Sequence, residues 1–241
     1  MTDALRHHPN LREFIRPPLE SALRCMDIDV LRAMIASHGG DEGILLSEDE
    51  READRAACMA RRPDDDLWVF GYGSLIWDPG FEFSEVVRAY APDWQRHFIL
   101  KDEYGGRGTK AQPGVMAALD RGEGCHGLAF RIPRELIEAK TQILWKRERI
   151  AHAYVPDFIN LESSIGRLSA LTFIVDTNAK MIDAEMSWED QVRFCATGQG
   201  EFGTSLEYVE NLVTHFEAMK IDAPRVKALM ADARRFIAEK C

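Results

Sequence analysis

Apolar residues follow two different rhythms along the chain, and the change comes near residue 66. In "DIDVLRAMIASHGG" the positions Ile28, Leu31, Met34 and Ile35 recur at helical spacing, and Gly39-Gly40 provide a stop. "SEDEREADRAACMARR" opens with Ser47 and Glu50 at capping-box spacing and carries acids early and arginines late. Its apolar content is thin, which predicts a surface helix. Residues 1 to about 61 therefore read as helical, and the charged, proline-broken "RRPDDD" at 61–66 reads as a linker. Beyond it the runs "LWVFGYGSLIW", "EVVRAYAPDWQRHFIL", "GVMAALDRG" and "CHGLAFRI" are short, apolar and punctuated by Gly, Pro and Asp, as strands and turns are. "IPRELIEAKTQILWKRERIA" predicts a helix with Pro133 near its first turn and basic residues in its last. "LSALTFIVDTNA" reads as a strand, and three helices follow over 187–196, 204–219 and 223–238. The second of these opens on a Thr204–Glu207 capping box. Strands with one inserted helix and trailing helices predict an α+β fold built on a small, mixed, barrel-like sheet. The expected division is a helical extension and linker over 1–66 and the main domain over 67–241.

Composition narrows the function classes. The 241 residues are 46% apolar and 29% charged, an ordinary globular balance, with no run approaching the ~20 apolar residues of a bilayer span. The first residues, "MTDALRHHPNLREFIRPP", carry charges throughout and no apolar core of a signal peptide, so a cytoplasmic protein is expected. A net charge of −10 argues against nucleic acid as a partner and is otherwise a solubility feature. Cys25, Cys58, Cys125, Cys195 and Cys241 are odd in number, scattered and without a CxxC pair, which fits free thiols better than a disulfide frame or zinc. The seven histidines never take ligand spacing, so no metal is expected.

Four places carry candidate chemistry. The apolar run at Leu67–Trp77 is broken by Gly71-Tyr72-Gly73-Ser74. Such a break is either a glycine bulge in a core strand or a loop whose converging amides hold a small anion. It lacks the lysine of a phosphate loop. On the helix after Pro133, Ile137, Leu144, Glu148 and Ala151 share a face, with Arg147 and Arg149 about 100° to either side. A carboxylate there is either a desolvated acid–base group or the partner of an arginine at the core rim. "EYGGRGTKAQPG", Glu103 to Gly114, is a polar loop carrying Arg107 and Thr109 that either joins a long hairpin or lines a site. Tyr208, in the first turn of its helix, either donates to a ligand or caps the core.

Taken in order, "FGYGSLIW", "RGTKAQPG", "GLAFRI", "LWKRERI" and "GTSLEYVENL" resemble the ChaC family of γ-glutamylcyclotransferases, which act on glutathione. The likeness covers roughly residues 67 to 235. It implies that Tyr72, Gly73, Ser74 and Leu75 form the loop that binds the glutamyl group, and that Glu148 is the catalytic glutamate. It also implies that Tyr208 lines the pocket, and that Arg107, Gly108 and Thr109 have a binding or structural role. Two departures stand out. Lys110-Ala111 occupies the place where the family often has Pro-Glu, and the residues before 62 have no counterpart in the compact family core.

The resemblance implies cyclisation of a γ-glutamyl group to 5-oxoproline with release of cysteinylglycine, without metal or cofactor. Two alternatives remain open at this stage. One is an enzyme acting on other γ-glutamyl amines or amino acids; the other is a non-catalytic module binding a small molecule or partner in the same cleft. For the glycine carboxylate of glutathione, Arg107 or Lys110 is the candidate cation.

Overall fold

The computed structural model describes residues 3–63 and 65–240. Asp64, in the predicted linker, and Cys241, among the predicted thiols, lie outside the described residues. In chain order the helices are α1 (Ile28–Ser37), α2 (Glu48–Met59), α3 (Ile137–Glu148), α4 (Trp188–Thr197), α5 (Ser205–Ala218) and α6 (Pro224–Ala238). The strands are β1 (Leu67–Gly71), β2 (Glu85–Ala91), β3 (Trp94–Tyr104), β4 (Thr109–Arg121), β5 (Cys125–Ile132), β6 (Tyr154–Ser163), β7 (Gly166–Val175), β8 (Gln199–Gly200) and β9 (Gly203–Thr204). The chain divides into two compact units: Met1–Met26, Leu45–Arg96 and Leu119–Val175 form one, and Asp27–Ile44, His97–Ala118 and Asp176–Cys241 the other.

The first unit is built on a closed barrel in the order β1-β5-β2-β6-β7. β1 runs antiparallel to β5, with Gly71 opposite Leu128, and parallel to β7, which closes a mixed sheet. The α+β expectation of a mixed barrel-like sheet with one inserted helix holds. Val69, Phe70, Val86, Val87, Leu128, Phe130 and Leu171 are fully buried, and adjacent pairs such as Val69-Phe70 and Val86-Val87 show that both faces of these strands are covered. The barrel closes through short ladders, two residue pairs between β1 and β7 and two between β2 and β6. β6 is absent from the sequence reading because Pro156 interrupts "YVPDFINLES". Its ten residues nevertheless pair along their whole length with β7.

Two further expectations are corrected. Helical structure before residue 62 is confined to α1 and α2; residues 9–25 form three short 3-10 turns. Pro9, Pro17 and Pro18 remove the N–H donors that an α-helix would need there. α2 has its predicted capping box, but its inward face is charged: Arg51 and Arg55 are buried. Arg55 bonds Glu138 (2.6 Å) and Thr141 (3.0 Å) on α3. The sequence rhythm misses such a face because it weighs only apolar positions.

The second unit holds α1, most of the β3–β4 hairpin, the β8–β9 ladder and the three carboxy-terminal helices. α4, α5 and α6 pack on one another around Leu212, Phe216 and Leu229, all fully buried. Trp188 of α4 donates to Asp232 of α6 at 3.0 Å. The predicted capping box of α5 is present, with Thr204 and Glu207 exchanging hydrogen bonds. Cys58, Cys125 and Cys195 are buried free thiols and Cys25 an exposed one. No helix among the described residues is long and apolar enough to cross a membrane.

Candidate active site

Within the first unit the chain leaves β1 at Gly71 and turns sharply through a 3-10 turn, Ser74–Ile76. Gly71 is there because the backbone folds back on itself: a Cβ at this position would lie 2.8 Å from the Leu75 Cβ. Ile76 N–H bonds Gly73 O, and Trp77 and Asp78 N–H both bond Ser74 O. The Ser74 and Leu75 amides, at the start of the turn, have no acceptor within it. The sequence left a bulge and an amide-presenting loop as alternatives; the structure shows a 3-10 turn directly after β1. Leu75 and Ile76 are buried and anchor it.

Tyr72 is buried, and its phenol donates to the Phe173 carbonyl at 2.8 Å. Its own carbonyl accepts from Arg96 Nε at 2.6 Å, and Arg96 also donates to His126 O. Tyr72 thus fastens the loop to the barrel.

Glu148 is the last residue of α3. The expected helical face through Ala151 is cut short: Arg149 caps the helix, and Ala151 forms a bridge with Leu45. A carboxylate at the carboxy-terminal end of a helix sits at the negative pole of the helix dipole and needs a compensating cation. Arg147 supplies it, donating from Nε to Glu148 Oε1 at 2.6 Å. Arg149 turns the other way, to Asp54 at 2.8 Å. The Glu148 side chain is 16% exposed against 2% for Arg147, so the acid reaches solvent while its partner does not. Arg147 also donates to Ser74 Oγ at 3.1 Å and to the Asp78 carbonyl. One guanidinium therefore ties the carboxylate to the turn that carries the two amides. Of the two readings of Glu148, the geometry shows the ion pair with an arginine at the core rim.

The second unit contains Arg107, Thr109 and Tyr208. The loop expected over 103–114 is shorter than predicted: β4 already begins at Thr109, and the turn proper is residues 105–108. Gly105 N–H bonds Gly108 O at 2.8 Å, and Asp102, buried at the end of β3, accepts from the Tyr104 and Arg107 amides. Burial pushes the Asp102 carboxyl up, against the lowering effect of those donors. Arg107 donates to Thr204 O at 2.9 Å and stacks over the Tyr208 ring at 5.3 Å. Burial lowers its guanidinium pKa, offset by Tyr208, Glu207 and Asp102. Thr109 Oγ1 accepts from Gln112 N–H, and exposed Lys110 donates to Gly39 O. Arg107, Tyr208 and Thr204 are thus brought together within this unit.

The sequence reading passed over Asp78, Arg96 and the role of Arg147. Arg147 beside Glu148 was visible as a neighbour, but adjacent helical residues point about 100° apart, so their contact could not be read from spacing. Among the described residues no group of three or more His, Cys, Asp or Glu side chains could hold a metal.

The profile of the family described as ChaC-like protein matches residues 67–234. A glutathione-specific gamma-glutamylcyclotransferase of Escherichia coli (strain K12) is 34% identical over 83% of this chain and 87% of its own length. Glutathione-specific gamma-glutamylcyclotransferase 1 of Danio rerio is 28% identical over 66% of this chain and 82% of its own. Among solved structures, a glutathione-specific gamma-glutamyl cyclotransferase from yeast aligns with TM-score 0.66 at 18% identity, covering 71% of this chain and 97% of that one.

Proposed function

The chain belongs to the ChaC-like family, and from that premise we propose that it cyclises the γ-glutamyl group of glutathione, releasing 5-oxoproline and cysteinylglycine. The observation that carries the reading is the Arg147 guanidinium, which binds Glu148 and the Ser74 turn at once. A general base and a set of amide donors held on one rigid group is what an intramolecular acyl transfer needs.

The steps follow from the substrate's chemistry. The α-amine is protonated in water and cannot attack until it loses a proton. Glu148, which reaches solvent, takes that proton as general base. The freed nitrogen closes on the γ-carbonyl carbon, forming the new C–N bond of a five-membered ring. The Ser74 and Leu75 amides donate to the oxyanion that develops on the γ-carbonyl oxygen. Collapse breaks the bond to the cysteinyl nitrogen, and Glu148 returns a proton to it as general acid. The α-ammonium loses two protons in becoming a lactam N–H, and the departing amide nitrogen gains two in becoming an ammonium. The sum balances without water. Because nucleophile and electrophile share one molecule, holding the folded conformer supplies much of the acceleration.

Substrate contact by the Tyr72–Leu75 turn is part of the proposal. Arg107 is assigned to building the turn before α5, since it is engaged by Thr204 and Tyr208, and Thr109 to the start of β4, where it accepts from Gln112 N–H.

The test is incubation of the purified protein with reduced glutathione, γ-glutamyl-alanine and γ-glutamyl-lysine in separate reactions, scoring 5-oxoproline by mass spectrometry. Product from glutathione alone supports the reading. Product only from the other two moves the substrate class, and no product from folded protein removes the enzymatic reading altogether.

A further inference from the structure

The family profile begins at residue 67, yet the structure lays residues 16–25 against the turn that follows β1. Arg16 N–H bonds Trp77 O at 2.7 Å, and its guanidinium donates to Asp78 Oδ2 at 2.8 Å. Arg24 donates to Gly80 O at 3.0 Å and to Glu82 at 2.7 Å. The 3-10 turn Ala22–Cys25 packs on α3, the helix that ends in Glu148. Three residues of the segment 77–80, Trp77, Asp78 and Gly80, are therefore held from the amino-terminal side.

The charges along this contact alternate: Arg16, Asp78, Arg147, Glu148. The two inner side chains are buried, at 4% and 2% exposure, and the two outer ones reach solvent. Arg147 is a planar fork with donors fixed in direction. Its Nε goes to Glu148, one terminal nitrogen to Ser74 Oγ and the other to the Asp78 carbonyl. The Asp78 carboxylate competes for that last nitrogen. Its Oδ1 lies 3.9 Å away and accepts no hydrogen bond among the described residues. Arg16 neutralises the competitor. Without Arg16, a buried carboxylate lacking its cation draws Arg147 toward itself, and turning the fork pulls Nε off Glu148.

We infer that the amino-terminal segment supplies a positioning relay in which Arg16 holds Asp78, and Arg147, released from competition, orients the Glu148 carboxylate. The inference rests on the role proposed for Glu148. Arg16 and Arg147 are positioning residues: they act through Glu148 and the turn.

The test is steady-state kinetics on glutathione with the full chain and four single variants, Arg16→Gln, Asp78→Asn, Arg147→Ala and Glu148→Gln, plus the Arg16→Gln/Asp78→Asn pair. A displaced catalytic group lowers kcat with little change in KM, so Arg16→Gln should lose about tenfold in kcat with KM within about twofold. Asp78→Asn should lose about threefold, and the double variant should be no worse than Asp78→Asn alone, because removing the competitor removes the need for Arg16. Arg147→Ala should lose about 100-fold and recover in part with added guanidinium. If Arg147→Ala does not fold, the exposed Arg16 and its pairing with Asp78 still decide the matter. Wild-type kcat in Arg16→Gln overturns the relay, as do losses that multiply in the double variant or a change confined to KM. Full turnover by Glu148→Gln overturns the reading of Glu148 itself, which separates that failure from failure of the relay.

Discussion

The turns that follow β1 and β3 both carry glycines, and they do opposite things. In the turn after β1, side chains do the holding: Arg147, Arg96 and Arg16 grip Ser74, Tyr72 and Asp78. The amides of Ser74 and Leu75 have no acceptor within that turn. In the turn after β3 the backbone holds itself. Gly105 and Gly108 bond each other, Glu201 and Phe202 N–H bond the carbonyls of Gly105 and Gly106, and Asp102 takes the Arg107 amide. A Cβ on Gly108 would lie 2.0 Å from Gly114 N and 2.4 Å from Asp102 O. Glycine marks close backbone approach in both; only in the first does that approach leave donors available. A glycine-rich stretch is therefore no guide to binding until the destination of its amides is known.

The comparison can be broken most directly at Glu148. Glu148→Gln keeps the shape and should lower kcat about 1,000-fold while the melting temperature stays within a few degrees; turnover of glutathione with a parallel thermal scan reads both. Gly108→Ala should do the reverse, costing about 3 kcal/mol or more of stability because both obstructing atoms are backbone. Urea unfolding measures it, and a stable Gly108→Ala protein would mean that the second turn is not the knot described. Gly71→Ala falls between the two. The Leu75 Cβ at 2.8 Å must move, so about 1–2 kcal/mol of stability should go together with a rise in KM.

The smallest effect concerns acid. Glu82, bonded by Lys140 and Arg24, is held down to about 2 from an ordinary value of 4.5; its partial burial opposes the shift, and the two cations outweigh it. A depressed carboxylate contributes stability that is complete above 4.5 and is lost as pH falls toward about 2. Its side chain is 41% exposed, so solvent screening keeps the contribution to about 1 kcal/mol or less. Glu82→Gln should flatten the pH dependence of the urea midpoint in that window, and an unchanged slope would show the pair to be idle.

Local signals were legible in the sequence and distant ones were not. The two capping boxes, the strand before Gly71 and the helix bearing Glu148 rest on residues within a few positions of one another. Arg16 and Asp78 are 62 residues apart and Tyr72 and Phe173 are 101, and no periodicity links such partners. The overlong helix through Ala151 failed for the same reason: its end is fixed by Leu45 and Leu46 pairing with residues 150–151. The role of Glu148 was legible only as a pair of alternatives, because its partner's direction depends on side-chain rotation and not on spacing.

The buried cysteines carry a consequence for a protein proposed to handle a thiol. Burial pushes the Cys58 thiol up to about 11, despite nearby Arg61, and the Cys195 thiol up to about 12. At neutral pH no more than about one in 10,000 of either is the thiolate through which disulfide exchange proceeds. Cys125 is raised by burial as well. Mixed disulfides with oxidised glutathione therefore have no ready nucleophile in the interior, and the redox state of the substrate pool can swing without being written into the protein's own core.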